Sequence, residues 1–159
     1  MTTLPVINAA LILPKLEVPD WESAIRLLGA RLEAEGYTHS SYVQAVIDRE
    51  KVFPTGLPLG ELNVAIPHTD VVHVKTPGIA IATLKDPITF QQMGSPEESV
   101  QARIVFLLAM TDPKDQVNLL ANLVDIFQKG DVLQAIIDAN DPMRVESLLN
   151  AELHLHEVV

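Results

Sequence analysis

The chain has 159 residues, a formal net charge of -10 and no cysteine. A chain of this length can bury a core without a disulfide or structural zinc, and the lack of thiols excludes a cysteine nucleophile and a Cys-ligated metal. Asp and Glu number 21 against 11 Lys and Arg, a balance that repels phosphate backbones and anionic lipid, so we expect no nucleic-acid partner and no membrane insertion.

The sequence predicts no targeting or membrane-spanning segment. Met1 to Pro14 has no cationic start and is interrupted by Pro5, which is not the pattern of a signal peptide. The longest strongly apolar run, Ile104 to Met110, is far shorter than the ~20 residues of a spanning helix. We therefore expect a cytoplasmic location.

Two amphipathic helices are predicted in the first third of the chain. Asp20 is a candidate N-cap, and apolar residues recur at helical spacing from Trp21 until Gly36 offers a left-handed stop. A second helix is predicted at about 41–51. The following segment, 52–62, contains alternating prolines and glycines and is expected to be a loop.

The middle of the chain contains the candidate strands. Val64 to Ile66 is a short apolar run that ends at Pro67. Gly78 to Leu84 and Ile104 to Met110 are apolar at successive positions, which is typical of strands covered on both faces by helices. Ile88 to Phe90 is a further candidate, and the short link before it would allow a hairpin.

The last third is predicted to be helical, with Asp112 as a cap and Pro113 in the first turn. The apolar spacing predicts three helices, at about 113–129, 131–139 and 141–150. Helices, then strands, then helices indicate an α/β fold: a mixed, mostly parallel sheet sandwiched between helices. Without repeats or long linkers, residues 1–159 are expected to form a single domain.

Of the five histidines, His68 has the context that best suits chemistry. It follows Pro67 at a predicted strand end, and strand ends are where ligands collect in open α/β sheets. Because proline restricts its own backbone and that of the preceding residue, the imidazole leaves from a defined position. Thr69 and Asp70 could offer N–H groups and a hydroxyl to an anion. The alternative interpretation is that His68 merely ends the strand.

The stretch from Gly60 to His68 resembles a known phosphorylation-site signature, that of the enzyme IIA domains of the mannitol and fructose class in the bacterial phosphoenolpyruvate:sugar phosphotransferase system. Its core is the apolar-Ala-apolar-Pro-His run that starts at Val64. The segment Asp48-Arg49-Glu50 lies upstream, in the region where this family places an arginine. The resemblance extends from about Ile25 to Leu149.

Within this class, the galactitol-type members look most similar to the chain. The shared features are the Arg-Glu segment followed by Phe53-Pro54-Thr55-Gly56, the order of His68, His73 and Lys75, and Phe90-Gln91-Gln92. One position departs from the wider class. Many mannitol-type members have a second histidine near the start of the helix after the last long strand, and the matching residue here is Gln116.

The resemblance implies a phosphohistidine carrier that needs no cofactor. His68 would accept phosphate from the phosphocarrier protein HPr and pass it to a cysteine of an enzyme IIB, with the membrane enzyme IIC involved indirectly. Arg49 would clamp the phosphoryl oxygens through two parallel hydrogen bonds; its alternative role is a solvated cation in the last turn of a helix. Around His68 we find no carboxylate cluster to suggest a metal.

Three further residues are candidates for the phosphate site. Gln116 is predicted to hydrogen-bond the phosphoryl group or its neighbour, because a helix N-terminus attracts phosphate. His73 is either a partner of His68 or a surface residue, and Asp70 either orients the imidazole or forms a turn. The rival function is a regulatory enzyme IIA-like module whose phosphorylation state controls a protein partner. The sequence does not indicate which sugar is transported.

Overall fold

The computed structural model of the chain describes residues 7–157, with side chains up to Leu153. The strands are β1 (Ile12–Leu16), β2 (Gly56–Leu57), β3 (Asn63–Ala65), β4 (Gly78–Gln92) and β5 (Ser95–Ala109). The helices are α1 (Trp21–Ala34), α2 (Tyr42–Val52), α3 (Pro113–Phe127), α4 (Gly130–Asp138) and α5 (Pro142–Glu157), and short 3-10 turns lie at Ala9–Leu11 and Val71–His73.

The five strands form one mixed sheet. β1 and β2 lie parallel to β4, and β3 lies parallel to β5, whereas β4 pairs antiparallel with β5 and β2 pairs antiparallel with β3. Parallel pairings outnumber antiparallel ones, as predicted, although the longest pairing is the antiparallel β4–β5 hairpin. Because β3 and β5 run in the same direction, their carboxyl ends meet at one edge of the sheet.

The hairpin turn lies later in the chain than predicted. Gly78 to Leu84 and Ile88 to Phe90 belong to the single strand β4, and the chain reverses at Met93-Gly94, where Gly94 has φ of +78°. Glycine adopts this left-handed conformation without the steric cost that a Cβ would bring. The short link between Leu84 and Ile88 allowed a hairpin there, whereas the structure continues β4 through it, with an irregularity in the β4–β5 register that accommodates Pro87.

Strands β1 and β2 were not predicted from the sequence. β1 contains Pro14 and, among the described residues, pairs only with β4, so its proline occupies an edge strand that can tolerate a missing donor. β2 lies inside the segment that was predicted to be a loop. Its Gly56 is pressed so closely against β4 that an added Cβ would lie 2.7 Å from the carbonyl oxygen of Gln91. Tertiary pairing, and not strand propensity, therefore forms both elements.

The helix starts were predicted correctly. Asp20 accepts a hydrogen bond from the N–H of Ser23 at 2.8 Å, and Asp112 accepts one from the N–H of Lys114 at 2.8 Å. These caps satisfy amide donors that a helix start leaves unpaired. The last helix, α5, is longer than predicted and reaches Glu157. None of the helices between residues 7 and 157 is long and apolar enough to cross a membrane.

Helices cover both faces of the sheet, and β5 shows this most clearly. Its residues Ile104, Phe106 and Leu108 pack in the cluster with α3, α4 and α5, whereas Val105 and Leu107 pack in the cluster with α1 and α2. Alternate side chains of one strand thus enter two separate cores, as expected of a strand buried on both faces. This sandwich confirms the predicted α/β architecture.

Candidate functional site

His68 lies just beyond the carboxyl end of β3. The pairing of β3 with β5 continues past the strand end, because the N–H of Leu108 donates to the carbonyl oxygen of Pro67 at 3.0 Å. Ile66 and Pro67 are buried, whereas His68 is only partly buried. The backbone under the imidazole is therefore fixed in the core while the ring itself reaches the surface.

A hydrogen bond within this segment determines the tautomer of His68. Its Nδ1 lies 2.8 Å from the carbonyl oxygen of Ile66. A carbonyl oxygen can only accept, so Nδ1 carries the proton and Nε2 of the neutral ring keeps its lone pair. This arrangement directs a nucleophilic nitrogen away from the protein backbone.

The surroundings favour the neutral imidazole. Burial lowers the pKa of His68 below its ordinary value, and the positive charge of Arg49 lowers it further. The hydrogen bond to Ile66 and the negative charge of Asp70 raise the pKa, but they offset these effects only in part. Near neutral pH the ring is therefore uncharged and nucleophilic.

Arg49 lies in the last turn of α2, partly buried, and its charge acts on His68. The guanidinium carbon lies 5.1 Å from the ring centroid of Phe53, which is a cation–π contact. Its Nε is buried and, within residues 7–153, has no hydrogen-bond partner. Leaving a buried donor unpaired costs about 1–3 kcal/mol, so an anion that accepts from this N–H would be stabilised.

Gln116 lies in the first turns of α3, where its N–H donates to the carbonyl oxygen of Asp112. Because α3 follows β5 directly, its N-terminus lies at the sheet edge that also holds Pro67 and His68. The Oε1 of Gln116 is buried and, among the side chains that the structure describes, has no hydrogen-bond partner. Gln116 thus provides a second unpaired polar group at this edge.

The remaining candidate residues are His73, Thr69 and Asp70, and their surroundings differ from one another. His73 ends a 3-10 turn, and its Nδ1 lies 2.8 Å from the Oγ of Ser41; in the described part of the chain it forms no hydrogen bond with His68. Thr69 is buried. Asp70 is exposed and precedes the 3-10 turn. Its negative charge raises the pKa of His68.

The burial of Glu50, which is only 5% exposed, was not predicted from the sequence. Its carboxylate accepts hydrogen bonds from the N–H of Thr55 at 2.7 Å and from the Thr55 hydroxyl at 2.9 Å. A signal for this burial was present: Glu50 follows Val46 and Ile47 by four and three positions, which places it on the apolar face of α2.

Burial raises the pKa of Glu50 to about 7 from 4.5, although the Thr55 hydrogen bonds and the charge of Arg49 lower it in part. Between these two values the folded protein retains the proton that the unfolded chain has lost. The contribution of this carboxyl group to stability is therefore fully present below pH 4.5 and is lost as the pH rises to about 7.

We expect Glu50→Gln to remove this pH dependence. Between pH 4.5 and about 7, the free energy of unfolding of the wild type should fall by about 3 kcal/mol relative to Glu50→Gln. Urea unfolding of both proteins at several pH values measures this difference. The lowered pKa of His68 produces an opposite slope, but this slope is common to both proteins. A difference that stays constant with pH would contradict the prediction.

The chain resembles known proteins both in sequence and in structure. Residues 5–152 match the model of the family described as phosphoenolpyruvate-dependent sugar phosphotransferase system, EIIA 2. The chain belongs to this family. The galactitol-specific EIIA component of Escherichia coli K12 is 30% identical over 118 residues, which cover 74% of this chain and 78% of the relative. The family and the galactitol-type resemblance predicted from the sequence are thereby confirmed.

The chain is also similar to a domain of a larger relative and to a solved structure. The mannitol-specific EIICBA component of Escherichia coli K12 is 30% identical over 131 residues, which cover 80% of this chain but 19% of that protein. The complex of enzyme IIAMTL and phosphorylated enzyme IIBMTL from Escherichia coli superposes with a TM-score of 0.75 at 26% identity, covering 91% of this chain and 97% of the matched chain. The EIIA domain fold is thus established.

Proposed function

We propose that the chain is a phosphohistidine carrier of the sugar phosphotransferase system, in which His68 is the phosphorylated residue. The observation that supports this most strongly is the hydrogen bond from Nδ1 to Ile66, which leaves Nε2 free as the nucleophile. Membership of the EIIA 2 family and the likeness to a galactitol-specific EIIA component support the same function.

In the first transfer, the lone pair of His68 Nε2 attacks the phosphorus of phosphohistidine on HPr. An N–P bond forms to His68 while the N–P bond of HPr breaks, and the electron pair returns to the imidazole of HPr. In the second transfer, the thiolate of an enzyme IIB cysteine attacks the phosphorus, and the electron pair of the broken bond returns to Nε2. Both steps need little covalent help from the protein beyond positioning and charge stabilisation.

Arg49 and Gln116 supply that stabilisation in this proposal. The guanidinium of Arg49 donates to the phosphoryl oxygens, and its unpaired Nε gains a partner when the phosphoryl group is present. Gln116 and the N-terminus of α3 add polar groups at the same edge. The charge that spreads over the oxygens during transfer is thereby stabilised by groups already in place.

Exposed apolar side chains next to these residues are suited to transient partners. Phe53, which contacts Arg49, is 58% exposed; Val72, in the 3-10 turn after His68, is 73% exposed; and Val117, beside Gln116, is 65% exposed. Each is a large apolar group left in solvent next to a proposed site residue. We assign these three residues, called here the site patch, to the docking of HPr and enzyme IIB in turn.

A charge placed in the site patch is expected to weaken docking more than it slows the chemistry. For Val117→Asp, we expect the KM for phospho-HPr to rise about 10-fold or more, because a buried unpaired charge is costly, with a smaller fall in the rate at saturating HPr, because the new carboxylate repels the phosphoryl group. Steady-state transfer assays measure both values. Leu27→Asp is the control, since Leu27 is also exposed but lies on α1. An equal rise in KM for both variants would contradict this assignment.

Phosphorylation of the purified chain tests the proposed function directly. We expect enzyme I, HPr and phosphoenolpyruvate together to add one acid-labile phosphoryl group, and we expect peptide mapping to place it on His68. Labelling at another residue, or none, would overturn the proposal. The labelled protein is then mixed with purified enzyme IIB proteins, the galactitol-type protein first. Stable label with every enzyme IIB would favour the regulatory alternative over transport.

We place the chain in the cytoplasm, where phosphoenolpyruvate is formed, with residues 1–159 acting as one enzyme IIA domain. The membrane enzyme IIC would receive the phosphoryl group only through enzyme IIB. The sugar is selected outside this chain, so the galactitol-type likeness identifies which enzyme IIB to test first.

A further inference from the structure

We propose that Glu50 is a positioning residue that sets the distance between the Arg49 guanidinium and the His68 imidazole. This inference rests on the proposed phosphocarrier function and adds a residue to it. Within the described residues, the hydrogen bonds of Glu50 are with Thr55 and not with the imidazole. Glu50 acts through a chain of hydrogen bonds that leads from the last turn of α2 to the ring of His68.

The structure shows each hydrogen bond of this series. The Glu50 carboxylate accepts from the N–H and the hydroxyl of Thr55 at 2.7 and 2.9 Å. The carbonyl oxygen of Thr55 accepts from the N–H of Ile66 at 3.3 Å, and the carbonyl oxygen of Ile66 accepts from His68 Nδ1 at 2.8 Å. Because Arg49 is the covalent neighbour of Glu50, the proposed clamp and the proposed nucleophile are the two ends of one connected path.

The hydrogen-bonded path from Glu50 to His68 runs through the short connection between α2 and β2, which is held in place by tight packing. Only residues 53–55 separate α2 from β2. Beyond them, a Cβ added at Gly56 would lie 2.7 Å from the Gln91 carbonyl oxygen and 3.2 Å from Val100. β2 is thus tightly packed against β4 and β5. The two hydrogen bonds from Thr55 to Glu50 therefore fix the end of α2 relative to the end of β3.

A carboxyl group is costly to use for a purely structural link, because burying its charged form is unfavourable unless hydrogen bonds compensate the charge. Here both oxygens are engaged by a single residue, Thr55, whose backbone and side chain each donate. These two hydrogen bonds fix the orientation of Thr55 relative to Glu50 as well as the distance between them. Such a link suits a site in which a displacement of about 1 Å can lower the rate about 100-fold.

The test compares four variants of the full chain in the HPr assay. Glu50→Ala breaks the link, and we expect the transfer rate at saturating phospho-HPr to fall about 10- to 100-fold with an unchanged KM. Glu50→Gln retains an acceptor for the Thr55 N–H and should restore most of the rate. Thr55→Val removes one of the two bonds and should give an intermediate loss. Asp48→Ala is the matched control, because Asp48 is an exposed carboxylate on the same helix.

A double-mutant cycle distinguishes positioning from a general loss of stability. If Glu50 acts by placing Arg49, removing Arg49 should cost much less rate in the Glu50→Ala background than in the wild type. Additive losses would overturn the proposal, and so would a wild-type rate in Glu50→Ala. If Glu50→Ala fails to fold by circular dichroism, the cycle is carried out with Thr55→Val, and the same two outcomes decide.

Nitrogen-15 NMR of the His68 ring separates this proposal from the proposed function. In the wild type we expect the Nδ1–H tautomer, and in Glu50→Ala a loss of that tautomer, because the Ile66 carbonyl is no longer held. This readout needs no phosphate donor. An unchanged tautomer together with an unchanged His68 pKa in Glu50→Ala would overturn the positioning role, even if the chain is phosphorylated. Absence of phosphorylation with the tautomer effect intact would overturn the carrier function alone.

Discussion

His68→Asn is expected to reduce phosphorylation of the chain by phospho-HPr to background while the fold stays intact. The asparagine amide can still donate a hydrogen bond towards the Ile66 carbonyl oxygen, so the end of β3 keeps its partner. It has no lone pair at the position of Nε2 and cannot form the N–P bond. Radiolabelled phosphoenolpyruvate with enzyme I and HPr measures the loss, and thermal unfolding checks the fold.

The other histidines of the described region provide the controls for this experiment. His39 is exposed, and His73 hydrogen-bonds Ser41, so we expect His39→Asn and His73→Asn to retain full labelling. Label that persists at the wild-type level in His68→Asn would refute the assignment of the nucleophile. A selective loss in His73→Asn would instead move the phosphorylation site to the 3-10 turn.

Arg49→Ala is expected to slow transfer about 100- to 1000-fold, which is the usual effect of removing a donor that stabilises developing negative charge. The fold should remain intact, because the guanidinium is only partly buried and stacks on the exposed ring of Phe53. Arg49→Lys should recover only part of the rate, since an ammonium group cannot make two parallel hydrogen bonds to phosphoryl oxygens. Rapid-quench measurements with both phospho-HPr and enzyme IIB give these rates.

The pKa of His68 provides a second and independent readout for Arg49. The charge of Arg49 lowers that pKa, so Arg49→Ala should raise it, whereas Arg49→Lys should keep it low. Arg26→Ala is the control, because Arg26 is exposed on α1 and pairs with Glu22. Unchanged transfer rates with both partners would contradict the clamp, and an unchanged pKa would show that the guanidinium lies too far from the ring.

Much of this architecture could be predicted because its signals are local. Asp20 and Asp112 cap the helices that follow them, and the apolar run of Ile104 to Met110 lies almost entirely within the second half of β5, which is buried on both faces. The Pro-His step at the end of a short apolar run likewise pointed to the candidate site. Each of these features depends on neighbouring residues, which a single sequence displays directly.

The strands that were predicted wrongly or not at all depend on residues far away in the sequence. Pro14 and Pro87 look incompatible with strands until the pairing shows an edge and an irregularity that accommodate them. The two residues of β2 pair because they lie between β3 and β4, and no local pattern distinguishes them from a loop. In each case tertiary contacts outweigh the local propensity.

For the candidate site, the residue types indicated an imidazole at a strand end, and the family resemblance added its role as nucleophile and the arginine upstream, because these are properties of side chains and of short motifs. Only the tertiary structure determined which nitrogen of His68 is free, that Arg49 is close enough to lower the His68 pKa, and that Glu50 is buried against Thr55. These properties arise from hydrogen bonds and burial between segments far apart in the chain, and such contacts exist only once the sheet and helices have packed.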